Sequence, residues 1–450
     1  SEGTQAETVA KKGPAIEIAF DANGALSPQG QGFFKSIDIP FPTSLKDIQE
    51  NRCPKVSIQK VKGRDFLIVS LEKPGQSTFA LLQEKLPQLI LSLNFPKKMK
   101  WEKTGARYPR PLRSIVALFG KAIIPFECAS ILSGRTTYGH QQLFPQAIEI
   151  DTPSSYESAL EKGLVIASVE KRKETILQQL EAIEKKKNIT VLEKNRVLKE
   201  VLFLSEWPEL VLGEFKSSFL SIPSEILISE MVEHQKYFPL AKKEKELSNQ
   251  FIITADNTPS ETMIKGNEAV LSARLADGAF LYKKDLETSL NTFSEKLDNI
   301  ILQKDLGTVA KKRNRLMLLV KELAKNFEME NDLHRLERAA YLSKADLCTE
   351  LVQEFPSLQG VIGKYYALHQ KEDPQVALAI EEHWLPKSEE KKEIPTTDLG
   401  AVLSLADKCD HLTSYFSAGL KPSASSDPYA LRRQAIGIIR LLIEKKWSFE

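Results

Sequence analysis

AAYLSKADLCTELVQEFPSLQGVIGKYYA, residues 339–367, is the stretch whose reading decides the fold. Apolar side chains at Leu336, Ala340, Leu347 and Leu351 keep one helical face apolar. Pro356 to Gly360 predicts a tight reversal, with Gly360 supplying the backbone freedom it needs. Val361, Tyr365 and Leu368 then lay down a second stripe. The expectation is helix, short turn, helix. Asp346 falls in the middle of the first helix, where Asp has poor intrinsic propensity. Three readings stay open for it: a metal ligand, a structural hydrogen-bond acceptor, or a solvated charge.

Working outward, a helix over Leu399–Leu412 carries Asp407 and Asp410, three apart and so on one face. The last helix is predicted to start at Asp427-Pro428, with Asp as N-cap and Pro in the first turn. Its apolar stripe is Leu431, Ala435, Ile438 and Leu442, leaving Arg432, Arg433 and Arg440 elsewhere on its surface. Upstream, Leu302, Leu306, Val309, Leu316, Leu319, Val320 and Leu323 suggest long helices, and Lys311, Lys312 and Arg313 a basic face between them.

Before residue 286 the texture is mixed. Residues 1–11 read as disordered, and Gly30-Gln31-Gly32 as turn usage followed by a short helix from Gly32 to Ser36. Val56 to Leu71 alternates as two strands around Lys62-Gly63, and Phe79 to Leu93 has helical spacing. Ser114–Phe119 and Ala122–Phe126 read as paired strands, Ser155–Lys187 as one or two helices. Val201–Phe215 reads as strand-like, Glu225–Glu233 as helix, and Phe251–Ala255 as a buried strand. The fold class expected is α+β and multidomain: mixed modules at the start and middle, then an all-α helical domain of the HD type. The expected divisions are residues 1–94, 95–300, linking helices over 301–335, and 336–450.

A chain of 450 residues is too long for one small core. Its charge is balanced, 62 Lys and Arg against 60 Asp and Glu, so any nucleic-acid contact must come from a local basic surface. One local cluster is Lys97, Lys98, Lys100, Arg107, Arg110 and Arg113, which is either RNA-facing or simply solvated. The four cysteines are scattered, which suits free thiols in a reducing, cytoplasmic setting. No apolar run approaches the roughly 20 residues of a transmembrane helix, so no membrane partner is expected.

An HD-type phosphohydrolase gathers a His, an adjacent His-Asp pair and a later Asp around a divalent ion that activates water. Here the doublet position reads Ala345-Asp346, with Asp407 and Asp410 further on. Neither His334 nor His411 restores the doublet. The carboxylates are either a remnant able to hold Mg²⁺ weakly or structural residues. No cysteine and histidine cluster has zinc spacing, and no GxSxG or GxxxxGK[ST] motif is present, so no catalytic residue and no bound cofactor is assigned to this chain.

Ten stretches in order resemble one family. They are KGPAIEIAF (12–20), FPKKMKW (95–101), RYPRPLRSIVALFG (107–120), GHQQLFP (139–145), HQKYFP (234–239), GNEAVLSARLADGAFLY (266–282), LGTVAKKRNRL (306–316), SKADLCTELVQEFPSLQGVIGKYYA (343–367), LADKCD (405–410) and DPYALRR (427–433). Together they resemble the β subunit of the bacterial-type glycyl-tRNA synthetase. The resemblance implies a tRNA-binding subunit whose α partner, separate or fused, carries the catalytic site and uses ATP and Mg²⁺ to attach glycine to tRNA(Gly). It implies that residues 96–300 are similar to the editing-like module of the phenylalanyl enzyme's β subunit, and that 336–450 is a degenerate HD domain. It further implies that a segment precedes Ser1 and an anticodon-binding domain follows Glu450 in the parent.

Under this reading Arg432, Arg433, Arg440, Lys311, Lys312 and Arg313 are the candidate RNA contacts, with Asp346, Asp407 and Asp410 at the degenerate metal positions. Two other readings compete: an HD-type metal-dependent nucleotide phosphohydrolase, and a scaffold for the α subunit without RNA contact.

Overall fold

The computed structural model describes residues 7–448 apart from 41, 43, 62, 74, 243–245, 388–392 and 425. The chain divides into two compact units, residues 1–165 and 166–450, and each mixes helices with largely antiparallel strands. The class is α+β.

In the first unit, strand Arg64–Lys73 lies between Glu7–Ala15 and Val56–Val61, antiparallel to both. The hairpin expected around Lys62-Gly63 forms with Gly63 at φ +83°; Lys62 lies outside the described residues. Disorder was expected over residues 1–11. Of these, 1–6 lie outside the described residues, while 7–11 are strand. Main-chain pairing to the neighbouring strand makes this edge despite its polar sequence, and the Lys12 ammonium rests 3.7 Å over the Phe66 ring. Gly30-Gln31-Gly32 is helix, not turn, within Pro28–Lys35. A Cβ on Gly30 would meet the Ala19 carbonyl at 2.4 Å, so the glycine serves close packing. Thr78–Ser92 is the helix expected from Phe79 to Leu93. Only Leu118–Phe119 and Ala122–Ile123 pair as anticipated; Ile115–Val116 instead runs parallel to Ile131–Gly134.

In the second unit, a four-stranded antiparallel sheet runs in the order Thr190–Val191, Phe238–Ala241, Leu247–Ala255, Glu209–Glu214. Val201 closes the helix Lys194–Val201 instead of entering a strand. One continuous core runs from Phe251 and Leu275 through Leu316, Leu336 and Tyr366 to Leu403 and Leu441, so residues 301–335 pack into it. Leu302 and Leu306 are not helical. Strands Ile301–Gln303 and Gly307–Thr308 form a hairpin, and Thr308 caps the helix Val309–Asn326 by accepting the Lys311 N–H.

The 339–367 stretch is more broken than its periodicity implies. The helix Leu333–Leu342 stops, Ala345–Cys348 is a 3₁₀ turn, and Glu350–Glu354 is a short helix before Val361–His369. Asp346 is therefore in a turn, not in mid-helix. The break is held from outside the stretch. The buried Asp285 carboxylate accepts the N–H groups of Glu350 and Leu351 and the Tyr366 hydroxyl, at 3.0–3.1 Å. Gly360, at φ +81°, lets Trp384 approach where a Cβ would lie 2.3 Å from its ring. The last helix begins at Leu431, not at Pro428. Asp427 still caps it, accepting the N–H groups of Leu431 and Arg432 at 2.9 Å each, but across a turn in which Ala430 takes φ +55°.

Candidate functional site

The turns that follow Leu333–Leu342 and Pro374–Glu382, the helices Val309–Asn326 and Asp398–Ser417, and the start of Leu431–Lys445 line a cleft of about 450 Å³. Its floor is a buried network of charges. Asp407 pairs with two ammoniums: Lys312 Nζ lies 2.9 Å from Oδ1 as an ion pair, and Lys344 Nζ donates to Oδ2 at 3.1 Å. Asp410, one turn on, receives Lys312 at 2.9 Å and Arg315 at 2.5 Å. The helical spacing puts both carboxylates on one face, and Val309–Asn326 packs alongside with its own basic residues. Burial opposes the charged form of both carboxylates, but the Lys312 and Lys344 ammoniums outweigh it at Asp407 and hold that carboxyl well below its usual range. Burial likewise opposes at Asp410, and the Arg315 guanidinium with Lys312 prevails there. Lys312 is correspondingly held above its ordinary value: burial pulls it down, and its two carboxylates more than compensate.

Lys344 also touches His383, Nζ to Nε2 at 2.9 Å, and lies 3.8 Å over the Trp384 ring. His383 Nδ1 is 2.6 Å from the Ile380 carbonyl. That oxygen only accepts, so Nδ1 carries the proton and Nε2 accepts from the ammonium. Burial and the Lys344 charge hold His383 well below its ordinary value, which agrees with a neutral ring. Lys408 has no carboxylate partner among its hydrogen bonds. Its Nζ donates to Leu385 O and Ser404 Oγ at 2.7 Å each, and burial pulls it down to about 7.

Asp346 differs from the other two. Its Oδ2 accepts the Gly360 N–H at 2.6 Å, and its Oδ1 is buried without a hydrogen-bond partner. Burial pushes this carboxyl up to about 6, against the pull of Gly360 and the Lys344 charge. Asp346 is 0% exposed, which excludes the solvated-charge reading. Among the described residues no group of three or more His, Cys, Asp or Glu is placed to hold a metal ion. At Asp407 and Asp410, ammonium and guanidinium groups stand against the carboxylate oxygens that a cation would need.

The basic candidates separate. Lys312 is 4% exposed and spent on Asp407 and Asp410, so it is not part of a surface RNA face. The helical pattern leaves its side unmarked, because a lysine at a core-facing position reads like any other lysine. Arg313 is half-buried, donating to Ser294 O at 2.7 Å and stacking on Tyr341. Lys311 is exposed, Arg440 half-buried. Arg432 and Arg433 are exposed, and Arg433 lines the cleft. Lys344, His383, Trp384 and Lys408 were missed by sequence reasoning. Only the adjacency of Lys344 to Ala345-Asp346, and of Lys408 to Asp407, could have drawn attention to two of them.

The family model described as glycyl-tRNA synthetase beta subunit matches residues 1–450. The chain is 41% identical over 444 residues to "Glycine--tRNA ligase beta subunit" of Bacillus subtilis (strain 168), covering 98% of this chain and 63% of that protein. It is 42% identical over 439 residues to the protein of the same name from Shouchella clausii (strain KSM-K16), covering 96% of this chain and 61% of the relative. It is also 38% identical over 442 residues to "Glycine--tRNA ligase" of Chlamydia trachomatis serovar D (strain ATCC VR-885 / DSM 19411 / UW-3/Cx), 98% of this chain and 43% of that one. A mixed α+β chain with this sequence belongs to an aminoacyl-tRNA synthetase lineage. Within it, the chain belongs to the glycyl-tRNA synthetase beta subunit family. It spans about three-fifths of the length of the β-subunit relatives it matches.

Proposed function

We propose that this chain is the tRNA-binding, non-catalytic body of a glycyl-tRNA synthetase β subunit. In this reading it supports ATP-dependent glycylation of tRNA(Gly) at a catalytic site on an α partner, which supplies the ATP and Mg²⁺ chemistry in the cytoplasm. The observation that carries it is the match of the β-subunit family along the whole chain. The cleft supports the non-catalytic part. Its carboxylates are neutralised from within by Lys312, Lys344 and Arg315, which leaves no open ligand set for metal-activated water. We read residues 336–450 as an HD-like helical domain that has exchanged its metal for lysine ammoniums, with Ala345 where the doublet histidine would stand. Arg432 and Arg433 at the start of the last helix, together with Lys311 on Val309–Asn326, are exposed and are our candidates for phosphate contact.

The test is reconstitution. The subunit containing this chain, mixed with the α subunit, is expected to charge tRNA(Gly) with radiolabelled glycine, and neither subunit alone to do so. No charging by the reconstituted pair would sink the assignment. Changing Arg432 and Arg433 together to Glu should weaken tRNA binding and flatten its salt dependence; unchanged affinity would favour a scaffold without RNA contact in this region. The phosphohydrolase alternative predicts Mn²⁺-dependent nucleotide turnover that disappears in Asp346→Ala.

A further inference from the structure

We propose that the cleft at the Lys344–His383–Trp384 cluster is a receptor for a phosphate monoester, carried by a free nucleotide or by the end of an RNA strand. Three observations carry it. The first is charge. Five basic side chains line the cleft, Lys312, Lys344, Lys387, Lys408 and Arg433; Lys312 is spent on Asp407 and Asp410 and Lys344 on Asp407, so the excess comes from Lys408 and Arg433. Lys408 is bonded only to neutral oxygens. A concave site with this excess concentrates positive potential and repels divalent cations.

The second is an unspent donor. Trp384 lines the cleft, and its Nε1 is buried with no hydrogen-bond partner. An indole N–H can only donate, so what completes it is an acceptor. At the same cleft, Arg433 is exposed and presents a planar fork suited to two phosphate oxygens. Gln434 adds a neutral donor for a further one.

The third is shape. About 450 Å³ falls in the range of a small-molecule pocket, roughly 300–1,000 Å³. A recess of that size admits a mononucleotide or a strand terminus. A continuous sugar-phosphate backbone has no end to insert and would lie across the surface. A terminal monoester also offers three oxygens and a second negative charge, which answers the local excess better than a diester.

The strand-end source rests on the tRNA-binding reading above; the free-nucleotide source does not. The experiment is calorimetric titration of the chain with inorganic phosphate, AMP and adenosine, and with a short RNA carrying either a 5′-phosphate or a 5′-hydroxyl. AMP is expected to bind and adenosine not to. Arg433→Glu should weaken AMP by about tenfold or more, and Trp384→Phe, which keeps the ring but removes the N–H, by about three- to tenfold. Preference for the phosphorylated RNA, lost in Arg433→Glu, assigns the site to a strand end. Equal affinity for the two RNAs together with AMP binding assigns it to a free nucleotide. Equal binding of AMP and adenosine overturns the proposal, as does absence of phosphate and AMP binding together with no preference for the phosphorylated RNA. So does AMP affinity unchanged in both variants. Loss of glycylation in the reconstituted pair with AMP binding intact would count against the synthetase reading alone.

Discussion

Two carboxylates near Lys344 are shifted in opposite directions. Asp346 faces a backbone N–H and is pushed up to about 6. Asp407 is largely withdrawn from water, its side chain 13% exposed, yet two ammoniums hold it far below its usual range. Burial alone favours the neutral acid at both; what separates them is whether a cation comes with the packing. Asp346 holds its proton more tightly than a free carboxyl does, while Asp407 and Asp410 are balanced by lysine and arginine.

The largest effect should come from breaking the charged side. Lys312→Met leaves Asp407 and Asp410 short of a counter-ion and is expected to cost about 3–5 kcal/mol in urea unfolding. Asp407→Asn should be of similar size, because it leaves buried Lys344 without its carboxylate and Lys312 with Asp410 alone. If Asp407→Asn and Asp346→Asn proved equally mild at pH 8, the contrast between the two sites would be wrong. Asp346→Ala is next, at about 1–3 kcal/mol, since the Gly360 N–H loses its acceptor. Asp346→Asn keeps an acceptor and should cost under about 1 kcal/mol above pH 6.

The pH dependence sharpens the same contrast through its signs. Asp346 has a raised folded pKa, so the folded state binds its proton more tightly than the unfolded chain. Its stabilising contribution is complete below the unfolded value, about 3.8, and is lost as pH rises through about 6. Asp407 and Asp410 are depressed, so their contribution is present above the unfolded carboxylate range and is lost as pH falls through the lower folded values. Lys408 is depressed to about 7. It penalises folding when charged and relieves that penalty as pH rises from about 7 towards 10.5. Unfolding midpoints against pH should therefore lose their rise above pH 7 in Lys408→Met, and an unaltered profile would refute the assignment. The smallest stability effect belongs to Arg432→Glu, exposed and away from this network. It should move stability by no more than about 0.5 kcal/mol, while the reconstituted enzyme's salt slope for tRNA falls by about one.

Much of the architecture was legible. The hairpin at Gly63, the helix over Thr78–Ser92, the strand ending at Ala255 and the helix carrying Asp407 and Asp410 all follow from period and turn chemistry. The breaks within 339–367 were not, because Asp285, some sixty residues upstream, supplies the acceptor that ends one helix and starts the next. The same limit hid half of the cleft. Asp346, Asp407 and Asp410 stood out as a pattern, but the partners that set their charge come from separate helices and from the turn after Pro374–Glu382.

By itself the sequence determined the α+β class, most helices and strands, the family and the Ala345-Asp346 pair. Each of these is local or cumulative along the chain, written in periodicity, turn residues and ordered similarity. The tertiary structure decided that Lys312 is a buried counter-ion and not a surface contact, and that Asp346 is held by the backbone while Asp407 is held by ammoniums. It also decided that Trp384 and Arg433 meet at one cleft. The physical reason is that ionisation and hydrogen bonding depend on what lies within a few ångströms, and folding brings those groups together from positions about a hundred residues apart.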